Sequence, residues 1–86
     1  MPTETLHFEN ARIAQQLFNH DSRNLQSLEE QLGVKATSRE GWIKLEGAAD
    51  AVERARHLFM SLEGSLKAGL SVRNREFAHE IGRAHV

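Results

Sequence analysis

Residues 34–47 read VKATSREGWIKLEG, and their alternation decides the fold. Val34 and Ala36 point one way over 34–38, and Ile43 and Leu45 share a face over 42–46. That period of two belongs to half-buried strands. Arg39, Glu40 and Gly41 leave room for only a short connection, with glycine available for a positive φ, so the two strands are predicted to pair as an antiparallel hairpin. Gly47 closes the segment. Trp42 falls on the face opposite Ile43 and Leu45, either exposed as a stacking platform or contact anchor, or packed against the tail or a helix end.

Upstream, Thr5–Glu9 alternates in the same way, with Leu6 and Phe8 on one face and His7 on the other, which predicts a first strand. Asn10 is a good N-cap for a short helix over 11–18, in which Ile13, Ala14, Leu17 and Phe18 recur at helical spacing. Asn19, His20, Asp21, Ser22 and Arg23 then interrupt the apolar pattern, and Asp21 or Ser22 can cap a second helix carrying Leu25, Leu28 and Leu32. Gly33 supplies the left-handed residue that commonly ends a helix.

Downstream, residues 48–66 are rich in helix formers, and Val52, Ala55, Phe59, Leu62 and Leu66 repeat at spacings of three and four. The polar face of this long helix, with Glu53, Arg54, Arg56 and Glu63, reads as solvated surface. Gly69 terminates it. Residues 70–86 read either as a loosely held helix, capped by Asn74 with Phe77 and Ile81 on one side, or as a connecting arm. The order strand, helix, helix, strand, strand, helix predicts an α+β domain over 1–69. It is a two-layer arrangement in which helices cover one face of a three-stranded antiparallel sheet.

Composition narrows the function. Eighty-six residues suit one domain, and eleven Lys and Arg against twelve Asp and Glu give a formal charge of −1, so any nucleic-acid affinity must come from a local patch. Without cysteine there are no disulfides, thiolate metal sites or cysteine nucleophiles, and a cytoplasmic location fits that absence. The N-terminus lacks a basic region followed by an apolar one, and no run of apolar residues is long enough to span a bilayer. The five histidines are scattered without metal-ligand spacing, and the common signatures of hydrolases, P-loop ATPases and dinucleotide enzymes do not occur. Glu29 and Glu30 are adjacent surface acids with no group placed to split their proton affinities. No catalytic residue, metal ligand or cofactor site is therefore expected in this chain.

The element order matches that of a type I KH domain. The runs LHFEN (6–10), HDSRNLQSLEEQLGVKATSREGWIKLEG (20–47) and AADAVERARHLFMSLEGSLKAG (48–69) resemble the N-terminal domain of PhoH-like proteins, bacterial ATPases linked to phosphate starvation and RNA metabolism. The resemblance implies that residues 70–86 lead toward a P-loop ATPase domain. ATP and Mg2+ are implied only for such a parent protein, because no nucleotide-binding residue maps onto these positions. KH domains lay about four nucleotides along a groove whose GXXG loop approaches the phosphates. The corresponding turn here, 19–23, has no glycine and carries an aspartate, so that glycine clamp does not carry over.

Two expectations follow. The first is an accessory module for single-stranded RNA, with Arg23, Asn24 and His20 contacting backbone at the helix–helix turn and Arg39 and Lys44 flanking from the hairpin. The second is a protein–protein module that orients or oligomerises the parent's ATPase domain through Trp42, the exposed sheet face or an unpaired strand edge.

Overall fold

A computed structural model describes residues 2–84. The elements are β1 (Thr3–His7), α1 (Ala11–Gln16), α2 (Ser22–Leu32), β2 (Lys35–Arg39), β3 (Trp42–Glu46), α3 (Ala49–Lys67) and α4 (Asn74–Ala84). The strands form one antiparallel sheet in the order β1-β3-β2, with helices packed on one face, so the α+β architecture is the one the sequence predicts.

β3 is central and sets the register: Leu6 and Ser38 flank Ile43, while Glu4 and Ala36 flank Leu45. Ile43 and Leu45 are fully buried beneath the helices. β1 occupies 3–7 and not 5–9, because Thr3 and Glu4 find partners in Glu46 and Leu45, whereas the chain beyond His7 must turn toward α1. Phe8 leaves the ladder with its N–H donating to the Gly41 carbonyl at 2.7 Å. Asn10 then caps α1, its side chain accepting from the Ile13 N–H at 2.9 Å. α1 stops at Gln16, two residues before the apolar spacing ends, and Leu17 and Phe18 are buried from within the turn that follows.

Two glycines act through close backbone approach. At the hairpin the positive φ of 50° falls on Glu40, not on Gly41. A Cβ on Gly41 would lie 3.4 Å from the Asn10 and Phe8 backbone, so the glycine seats the hairpin tip against the chain leaving β1. Gly47 is tighter: a Cβ there would come within 2.8 Å of the Gly33 carbonyl oxygen, at the point where the end of α2 passes the end of β3.

One core joins all layers. Leu6, Ile43 and Leu45 from the sheet meet Leu28 and Leu32 of α2, and Val52, Ala55, Phe59 and Leu62 of α3. Residues after Gly69 belong to it as well. They form the helical alternative of the tail: Val72, Phe77 and Ile81 are buried in the same cluster, and the Phe77 ring meets Phe59 at a centroid distance of 6.1 Å. α4 lies against α2 and α3, so the break expected at Gly69 is not a break in packing. Among the described residues no helix is long and apolar enough to cross a membrane.

Candidate nucleic-acid interface

Strand alternation that buries Ile43 and Leu45 turns their neighbours to the sheet's other face. There the register sets three rows: His7–Trp42–Arg39, Thr5–Lys44–Thr37 and Thr3–Glu46–Lys35. Neighbouring strands lie about 4.8 Å apart and alternate residues about 7 Å apart, so each row crosses about 10 Å of sheet. His7, Lys35 and Arg39 are exposed, and Trp42 and Lys44 are half-buried.

Charge on this face is distributed unlike that of the helices. Three cations, Lys35, Arg39 and Lys44, share it with one carboxylate, Glu46, in a chain whose formal charge is −1. On the helices most cations have carboxylate partners, Arg12 of α1 being the exception among the described residues: Arg54 lies 3.8 Å from Asp50, Lys67 3.8 Å from Glu63, Arg75 3.6 Å from Glu76 and Arg83 3.3 Å from Glu80. Arg56 is paired with Glu53, holding that carboxyl below its usual range, with His57 3.0 Å from the same carboxylate. Among the described residues the three sheet cations make no such pair within 4.0 Å.

The turn between α1 and α2 is built differently. Asn19 and His20 adopt left-handed φ values of 58° and 55°, supplying without glycine the bend that leads into α2. Asp21 caps α2 by accepting from the Arg23 N–H at 3.0 Å, and its carboxylate also takes the Arg23 guanidinium at 2.8 Å. These bonds from Arg23 hold the Asp21 carboxyl far below its ordinary range, and the same pairing raises the Arg23 pKa. Asn24 is 9% exposed, and its amide nitrogen donates to the Phe18 carbonyl at 2.9 Å and to the Asn74 side-chain oxygen at 2.9 Å. Asn74, expected as a helix cap, instead reaches from the start of α4 into the turn. It also accepts from the Asn19 amide at 3.0 Å and donates to Asp21 at 3.3 Å.

No family model, curated protein or solved structure matches the chain.

The expected site residues thus divide into two groups. Arg39, Trp42 and Lys44 stand together on the outer sheet face, whereas His20, Arg23 and Asn24 belong to the helical layer on the other side of the sheet. Within the turn, Asn24 ties α2 to α4 and the Arg23 charge is shared with Asp21, which leaves His20 exposed. The sheet face also gains His7 and Lys35, which follow from the same alternation that placed Lys44. The tie that Asn74 makes to the turn has no local signal, because its partners lie 50 to 55 residues away. Among the described residues no group of three or more His, Asp or Glu is arranged to hold a metal ion.

Proposed function

We propose that this chain is an accessory, non-catalytic module that binds single-stranded RNA on the open face of its sheet. The observation that carries this reading is the set of three cations, Lys35, Arg39 and Lys44, gathered around Trp42 with no carboxylate partner among the described residues, while the cations of α2, α3 and α4 are paired with carboxylates. Cations without internal partners gain most from phosphates, because binding releases the nucleic acid's counterions and breaks no ion pair. An open sheet face with a half-exposed aromatic suits unpaired bases, whereas duplex RNA hides its bases and is read by shape. The likeness of residues 6–69 to the N-terminal domain of PhoH-like proteins agrees with this role. In that setting the module would present RNA to an ATPase domain of its own parent chain in the cytoplasm, with ATP and Mg2+ bound there.

The test is a titration of the 86-residue chain with fluorescently labelled single-stranded RNA at 50 and 200 mM salt. Three phosphate contacts at about 0.7 counterion each predict a roughly twentyfold loss of affinity across that fourfold range. The triple variant Lys35→Glu, Arg39→Glu, Lys44→Glu should abolish binding. Absence of binding at the lower salt, or binding unchanged in the triple variant, would refute the reading.

A second reading rests on the outer strands β1 and β2, which leave backbone edges that can accept a strand from a partner domain or a second copy. Light scattering separates the two: a chain that stays monomeric at high concentration and ignores its own ATPase domain removes the docking role.

A further inference from the structure

We infer that Trp42 is a stacking platform for one unpaired base, with the strand's phosphates directed to Lys44 on one side and Arg39 on the other. The inference rests on the RNA-binding reading and names how that face would engage its ligand. Three observations lead to it.

First, Trp42 is the single tryptophan of the chain, and it stands on the polar face of the sheet among threonines, cations and a histidine, not in the core. An indole left half-covered there presents apolar surface that an incoming flat ring can bury.

Second, the ring's mounting is fixed. Trp42 pairs with Arg39 to close a two-residue hairpin, pairs with His7 on its other side, and follows Gly41, which is seated against the Phe8–Asn10 backbone. A platform held on a central strand loses little conformational freedom when a ligand arrives.

Third, the surface beside the ring is hollowed. Thr5, His7, Trp42 and Lys44 line one shallow depression. Thr5 is short, so the depression has an indole and an imidazole among its walls and an ammonium at its side. A base stacked on Trp42 places its sugar–phosphate within reach of Lys44, about 7 Å along the strand, or of Arg39 in the neighbouring strand. The chemistry that fits is therefore a nucleobase with an adjacent phosphate diester, free of base pairing. A paired base in duplex RNA cannot present its flat face.

The experiment uses the lone indole as reporter. Unlabelled single-stranded oligoadenylate is titrated into the chain while Trp42 emission is followed, alongside an abasic oligomer of equal length and a duplex. Saturable quenching by the single strand alone is expected. With labelled RNA, Trp42→Leu should bind roughly 10- to 100-fold more weakly and Trp42→Phe should keep most of the affinity, as base stacking on aromatics elsewhere leads one to expect. Circular dichroism of both variants checks that each is folded. If RNA binds but Trp42→Leu is as tight as the parent, or the abasic oligomer or duplex binds equally well, stacking is refuted while RNA binding stands. If no RNA binds, both fail together. A dimer in light scattering that Trp42→Leu dissolves assigns this face to a second copy and overturns the inference.

Discussion

Replacing Phe77 by alanine tests whether α4 is part of the fold or an arm resting on it. The side chain has no solvent exposure and its ring meets Phe59 at a centroid distance of 6.1 Å with the planes tilted by 60°, in the same cluster as Leu28 and Leu62. Removing a buried phenylalanine costs about 3–5 kcal/mol, from lost transfer energy and the cavity left behind. For a chain of 86 residues, total stability is of the order of 4–13 kcal/mol, so the substitution should consume about a quarter of it or more. Urea denaturation followed by far-ultraviolet circular dichroism and by Trp42 emission provides the assay. Because Trp42 lies on the sheet face opposite the helices while α4 packs on α2 and α3, a coincident shift of both signals would show that α4 and the sheet unfold as one unit. A loss below about 1 kcal/mol with unchanged denaturant dependence would refute the shared core, since an arm of exposed residues responds by only tenths of a kcal/mol.

Other perturbations reach different joints. Gly47→Ala should destabilise by about 1–3 kcal/mol in the same denaturation assay, because its methyl would meet the Gly33 carbonyl at 2.8 Å and backbone must shift. Asn74→Ala removes side-chain bonds to Asn19, Asp21 and Asn24 and should cost about 1–2 kcal/mol, with faster amide exchange at residues 19–24 as the local signature. Asp21 supplies a pH dependence. Its folded pKa lies below the ordinary 3.8, so its contribution is fully present above that value and is lost as pH falls from there toward the folded pKa. Asp21→Asn should lower stability at pH 7 and flatten the decline below pH 4, as read by thermal melts across pH.

The hairpin was legible because alternation over 34–38 and 42–46 is a pattern that a single buried face imposes. The same rule, carried to His7 and Lys35, brings the whole outer face within reach of the sequence. Boundaries were less so. Thr3 and Glu4 join β1 through pairing alone, without an apolar signal, and Leu17 and Phe18 keep helical spacing while sitting in a turn, because spacing reports burial and a tight turn can bury the same side chains. The positive φ at Glu40 was invisible beside a glycine that needed its small size for a different reason. At the helix–helix turn, residue type showed that Arg23 and Asn24 could bind phosphate. Which hydrogen bonds they already make depends on Asp21 and on Asn74, and the latter contact crosses half a hundred residues. The tail's apolar residues are sparse in isolation, but three of them are buried in the core that α4 shares with α2 and α3.

The most direct measurement is a map of amide chemical shifts in the isotopically labelled chain as single-stranded RNA is added. The account predicts changes clustered at His7, Lys35, Arg39, Trp42 and Lys44, saturating together with the indole N–H of Trp42. Changes centred on His20 and Arg23 with the sheet silent, or a spectrum indifferent to RNA, would contradict it.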